Sequence, residues 1–220
     1  LALTVDTIVS GKRERCLRSG FTTPPRFSAS SLWSYATRPR WTLDYVFGPK
    51  FRLPNLDGYV NEGSGKAVSI QDYFNTMLDT GMDWDTAARI RQDWGGTFAL
   101  KGVMSAADAR RAVEIGADAI WISNHGGRQL DGSRAPFDQL EEIVDAVGGE
   151  IEIILDGGVR RGTHVLKSMA LGATAASGGR LYLYALAAAG QDGVERALAI
   201  LKEEIERAMR LMGITGVQQL

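Results

Sequence analysis

From Asp83 onward the sequence repeats one unit: a short apolar run, a polar or glycine-rich tip, and an amphipathic stretch closed by glycine. Nothing else in the chain restricts its fold so tightly. Thr97–Leu100, Asp118–Ile122, Ile151–Leu155 and Thr174–Ser177 read as strands, and Leu1–Val5 supplies a fifth. Helices are predicted over Thr86–Asp93, Ser105–Glu114, Ala135–Val147 and Arg161–Leu171, then Leu181–Ala189 and Gly193–Met212. The apolar spacing of Leu140, Ile143, Val144 and Val147 is helical, as is the stripe Val194, Leu198, Leu201, Ile205 and Met209. A weak internal repeat relates Val113–Ala119 to Met169–Ala175, each joining a helix end, a glycine stop and a strand start. Strands alternating with helices on short loops imply a parallel sheet.

The polar groups gather at the strand ends. Asp6 follows the first strand, Lys101-Gly102 the second, and Ser123-Asn124-His125-Gly126-Gly127-Arg128-Gln129-Leu130-Asp131 the third. Asp156-Gly157-Gly158-Val159-Arg160 and Gly178-Gly179-Arg180 follow the last two. Chemistry at every C-terminal tip, with no strand-order reversal and no GxGxxG fingerprint, points to an α/β chain of the (β/α)8 TIM-barrel type rather than an open sheet. A complete barrel takes about 250 residues. This chain has 220, no initiator Met, and opens inside what reads as a buried strand. The expectation is an N-terminally truncated barrel covering about strands 4 to 8, one partial domain over 1–220.

The stretch 8–83 differs from the rest. It is rich in Arg, Pro, Ser and aromatics, as in Thr23–Arg26, Arg38–Trp41 and Phe51–Pro54, and reads as a long lid-like loop. Short helices are expected near Ser30–Ala36 and Ile70–Asp79, separated by turn signals such as Pro39. Trp33, Trp41, Tyr45 and Phe47 either close it over a substrate or seal it to the body, and sealing carries the greater weight. A net charge of -1 gives no pull toward nucleic acid. The lone Cys16 excludes a disulfide framework and fits a reducing compartment, and it has no nearby His to make it a nucleophile. No His, Cys or carboxylate cluster has metal-site spacing. The longest apolar run, Leu181–Ala189, is too short to span a bilayer. A cytoplasmic location is expected.

Several roles follow from the tips themselves. Barrels commonly bind phosphate between their last two loops, where glycines let backbone N–H groups approach and Arg160 and Arg180 can neutralise charge. The plain reading is tight turns with solvated arginines. Lys101 could be a Schiff-base nucleophile, a phosphate ligand, a stabiliser of an anionic ring, or an ordinary loop lysine. Asp6 could orient and polarise His125. Arg128 and Arg13 are candidates for holding a carboxylate, although spacing does not fix which arginine of Gly11-Lys12-Arg13-Glu14-Arg15 points inward. His164 reads as a surface residue of a helix N-terminal turn.

These motifs together resemble one family, the FMN-dependent L-2-hydroxy acid dehydrogenases and oxidases. The resemblance rests on Leu3-Thr4-Val5-Asp6-Thr7 with Gly11-Lys12-Arg13-Glu14, Ala99-Leu100-Lys101-Gly102, the Ser123–Asp131 run, Asp156–Gly162 and Gly178-Gly179-Arg180. Pro54-Asn55-Leu56 and Gly179–Leu186 look most like the bacterial FMN-dependent L-lactate dehydrogenase branch. The resemblance implies His125 as the base, Asp6 stabilising its imidazolium, and Arg128 with Arg13 holding the substrate carboxylate. It also implies FMN as cofactor. Lys101 would lie at the flavin edge, and Thr4 and Ser123 would contact the flavin region. Asp156 would meet the ribityl chain with Gly157 beside it, while Gly158, Arg160, Gly179 and Arg180 would form the phosphate site.

The implied partners are a 2-hydroxy acid, L-lactate foremost, and an acceptor that is a quinone or other carrier, or oxygen in the oxidases. A homo-oligomer is expected at full length. The basic-aromatic stretch Arg38–Arg52 could touch the inner membrane face, but a solvated lid carries the greater weight. In the family the first three strands carry further site residues, two tyrosines among them. A half-barrel serving only assembly or binding is the alternative from another class.

Overall fold

The computed structural model describes residues 1–20, 28–49 and 76–220. Two compact units emerge, one made of Leu1–Lys12 with Asp79–Leu220, the other of Arg13–Leu78. The first holds strands β1 (Ala2–Thr4), β2 (Ala99–Val103), β3 (Ala119–Ile122), β4 (Glu152–Asp156) and β5 (Ala175–Ser177). They form one parallel sheet in the order β1-β2-β3-β4-β5. Sequential order without reversal is what a barrel wall requires.

Alternation decides which face is covered. Leu100, Ile120, Ile122, Ile153 and Leu155 are fully buried, while Lys101, Trp121 and Ile154 between them are half-buried. The buried face packs against Ala87, Ala109 and Ala112, and against Leu140, Ile143 and Val147. These lie on α4 (Trp84–Trp94), α5 (Ala106–Glu114) and α6 (Pro136–Val147) respectively. Each buried Leu or Ile contributes about 1.5–3 kcal/mol. The opposite face carries the polar side chains and lines the site. Among the described residues the helical layer lies on one face only, as in a barrel sector; a doubly wound sheet is covered on both.

Local signals explain the helix ends. Asp83 caps α4 by accepting the Thr86 amide at 2.8 Å, Ser105 caps α5 through the Asp108 amide at 3.1 Å, and α6 starts on Pro136. After α7 (Gly162–Ala170), the two helices expected at the C-terminus are both present within α8 (Arg180–Met212), on either side of a break. The break lies at Ala189 and at Gly190, whose φ of 59° marks the kink.

Three expectations about β1 and β2 need correction. The first strand is not fully buried: Ala2 is exposed, and among the described residues β1 has a neighbouring strand on one side only. The second begins at Ala99 rather than Thr97 and runs to Val103, so Lys101 lies within the strand and not past its tip. The ladder slips between Lys101 and Val103. Gly102 makes that slip possible, since its φ of 108° is a conformation other residues rarely adopt.

The second unit falls within the segment expected as a lid-like loop. It contains α1 (Glu14–Ser19), α2 (Ala29–Ala36) and α3 (Pro39–Phe47). Only α2 was expected, and Ser28 with Ser31 caps it reciprocally. Pro39 read as a turn signal, yet it occupies the first turn of α3, where a missing N–H costs nothing. Tyr35, Trp41 and Tyr45 stack successively at 5.6 and 5.2 Å. The Thr23–Arg26, Phe51–Pro54 and Pro54–Leu56 motifs lie outside the described residues, as do the first six residues of the helix expected over Ile70–Asp79.

The Asp83 cap makes a pH-dependent prediction. The Thr86 amide, and then its hydroxyl, hold the Asp83 carboxyl below its usual value. Such a group contributes stability above its unfolded-state value and loses it as pH falls through the folded one. Asp83→Ala is therefore expected to lower Tm at neutral pH, and the two melting curves should converge in acid. A constant difference across the acid range contradicts the cap's role.

Candidate active site

The site forms where consecutive strands end side by side. Lys101 of β2 aligns with Thr4 of β1 and Trp121 of β3, and Asp156 of β4 aligns with Ser177 of β5. Ser123 joins the middle three strands. Its hydroxyl donates to Asp156 Oδ2 at 2.7 Å and accepts from Lys101 Nζ at 2.9 Å and from the His125 amide at 3.1 Å. That uses its one hydrogen and both lone pairs. Lys101 Nζ also lies 3.4 Å from Asp156 Oδ2. Ser123 is 0% exposed, and its hydroxyl positions its neighbours.

His125 follows directly. Its φ of 57° makes it the one non-glycine residue in the left-handed region among those described. The conformation costs about 1–2 kcal/mol, and such outliers gather at functional sites. Asn124 frames the turn, accepting the Gly127 amide at 3.0 Å and donating to the Arg134 carbonyl at 3.2 Å. His125 Nδ1 lies 3.2 Å from Asp6 Oδ1. A carboxylate can only accept, so neutral His125 holds its proton on Nδ1 and leaves Nε2 free to take another. Asp6 can sit this close to β2 because Gly102 lacks a side chain: a Cβ there would lie 2.7 Å from Asp6 Cβ.

A cleft of about 690 Å³ opens over these groups, within the range of cofactor sites. Lys101, Trp121, His125, Arg128 and Asp156 line it, together with the Gly157–Arg160 and Ser177–Tyr184 segments. Its charged lining sums four cations (Lys101, Arg128, Arg160, Arg180) against Asp156, with Asp6 behind His125. Such a surface suits a ligand with a phosphate and a carboxylate. Gly157 and Gly158 have φ of 127° and 73°, and a Cβ on Gly179 would meet nothing within 4 Å. The backbone there can approach a phosphate closely. The buried Trp121 indole N–H has no partner among the described residues. These features fit FMN: the glycine tips with Arg160 and Arg180 would hold a phosphate, and Lys101 with Asp156 would flank the rest.

Several contacts were not foreseen. Arg180 donates to the Gly126 carbonyl at 2.8 Å, tying the last tip to the His125 loop. His164, read as a surface residue, is half-buried; its Nδ1 lies 3.1 Å from the Gly158 carbonyl and 3.3 Å from the Arg160 amide. It thus braces the glycine loop after β4. Arg13 belongs to the second unit, where it precedes α1. Cys16 is a free thiol in α1.

Comparison with known proteins places this geometry. Residues 1–220 match the family described as FMN-dependent dehydrogenase. The chain is 40% identical over 227 residues to an L-lactate dehydrogenase of Alcaligenes faecalis, covering all of this chain and 58% of that protein. It is also 40% identical over 224 residues to an L-lactate dehydrogenase of Xanthomonas oryzae, of which it covers 56%. Among solved structures, the monotopic membrane protein (S)-mandelate dehydrogenase superposes with a TM-score of 0.87 at 35% identity. That match covers 99% of this chain and 57% of that one. A mandelate oxidase with benzoyl-formic acid gives 0.70 at 35% identity, covering 99% and 52%. The chain spans somewhat more than half the length of the relatives it matches.

Ser123→Ala removes three hydrogen bonds at once and strands the His125 amide. It is expected to destabilise the protein by about 1–3 kcal/mol, read as a lower urea midpoint with an unchanged slope. A change below about 0.5 kcal/mol, the range of neutral surface substitutions, contradicts the hub.

Proposed function

The chain belongs to the family of FMN-dependent dehydrogenases, and on that premise we propose that it oxidises an L-2-hydroxy acid, L-lactate first, to the 2-oxo acid. The observation that carries the proposal is the His125–Asp6 pair at 3.2 Å on the rim of a cation-lined cleft. Bound FMN supplies the two-electron acceptor. The protein's own groups do the rest. Arg128 orients the substrate carboxylate, with Arg13 as a second arm. His125 Nε2 takes a proton from the substrate, and Asp6 stabilises the imidazolium that results. Lys101, held by Ser123 and Asp156, would flank FMN and set its positive charge against the negative charge that FMN acquires on reduction. The acceptor that would reoxidise FMN is a quinone or another carrier, with oxygen as the alternative.

Lactate is put before mandelate because relatives 40% identical over the whole chain are L-lactate dehydrogenases, whereas mandelate enzymes that cover 99% of it are 35% identical. The second unit supports peripheral membrane association. Trp33 and Phe47 are 72% and 81% exposed, Leu32 and Val46 are also exposed, and Arg38 and Arg40 stand among them. Aromatics beside arginines suit an anionic lipid interface. No described helix is long and apolar enough to cross a membrane.

Two measurements test these readings. With FMN bound and oxygen excluded, L-lactate is expected to bleach the flavin, and His125→Ala to slow bleaching by about 10²–10⁴-fold without weakening FMN binding. Equal rates in the variant, or equal rates with D-lactate, contradict the assignment. Cosedimentation with anionic vesicles is expected to fall for the double variant Trp33→Ser with Phe47→Ser; unchanged binding contradicts the membrane face.

A further inference from the structure

We infer that Gln129 is the positioning residue that sets Asp6 against His125. The inference rests on the proposed role of that pair. Gln129 follows Arg128 in the loop after β3, and its side chain reaches back to the segment after β1. Its Nε2 donates to the Asp6 carbonyl at 3.1 Å and to the Val9 carbonyl at 3.0 Å, while Oε1 accepts the Gly11 amide at 3.3 Å. One amide thus uses both hydrogens and an acceptor on three backbone groups about 120 residues away in sequence. Only Gln has both donor and acceptor at this length. A carboxylate would lose the two donated bonds, and Asn is one methylene shorter.

The backbone makes room for this clasp. A Cβ on Gly11 would lie 2.1 Å from the Arg128 carbonyl oxygen and 2.9 Å from Gln129 Cα, so the two loops touch main chain to main chain. Asp6 is therefore gripped from two sides. Gly102 receives its side chain, and Gln129 fixes its carbonyl. Asp6 Oδ2 is buried with no partner among the described residues, so the direction of this carboxylate is set by the backbone that carries it and by the single contact to His125. Loosening that backbone should free the imidazole to change tautomer.

The tautomer is the test. His125 and His164 are the only histidines, so the imidazole ¹⁵N spectrum holds two sets of signals, assigned with His164→Gln. The full chain is expected to show His125 mainly as the Nδ1–H form. Gln129→Ala and Gly11→Ala should move it toward the Nε2–H form, as far as Asp6→Asn does, with the His164 signals unmoved. Gln129→Glu keeps the length and the acceptor, and provides the same reading should Gln129→Ala fail to fold. A folded Gln129→Ala or Gln129→Glu protein whose His125 stays in the Nδ1–H form overturns the inference. Because neither flavin nor substrate is needed, a tautomer shift in a chain that never bleaches flavin would count against the proposed function alone.

Discussion

The site depends on one hydroxyl. Ser123 Oγ bonds a lysine from β2, an aspartate from β4 and the amide of His125, so it joins three adjacent strands and the loop that carries the base. In a low-dielectric pocket a fully satisfied network of this kind rigidifies its members, and a half-satisfied one would cost stability. The fold makes the network possible. Parallel strands in sequential order bring every C-terminal end to one edge, and a helical layer on one face alone leaves the other free for Lys101 and Asp156.

A second tier holds the base in its working form. Asp6 reaches His125 because Gly102 yields space and Gln129 grips the chain on either side of Val9. Arg180 and His164 do comparable work at the other end of the cleft, one tying the last tip to Gly126 and the other bracing the Gly158–Arg160 loop. His125 and the Gly158–Arg160 loop, which would meet substrate and cofactor, are thus supported by Gln129 and His164, which would not.

Much of this was legible in the sequence. Strand–helix alternation with polar tips dictated a barrel wall, and His125, Asp6, Lys101 and Asp156 stood out because each lies at or next to a strand end. The supporting contacts were not legible. Gln129 was part of the recognised run, but its partners are more than a hundred residues away, and no local pattern reports a side chain folding back. The closeness of Gly102 to Asp6 and the 0% exposure of Ser123 are likewise properties of packing between strands. Local misreadings have local causes: Pro39 signals a turn and a helix start equally well, and Lys101-Gly102 resembles a strand tip because the bulge hides the continuation to Val103.

If the strand tips form one site for flavin and a 2-oxo acid, both ligands should bind there together. A crystal structure of the chain with FMN and pyruvate measures that directly. It should place the phosphate between the Gly158–Arg160 and Gly179–Arg180 loops, the ring beside Lys101, and the carboxylate on Arg128 with the 2-oxo group facing His125. A flavin bound away from these tips, or a carboxylate with no contact to Arg128, would contradict it.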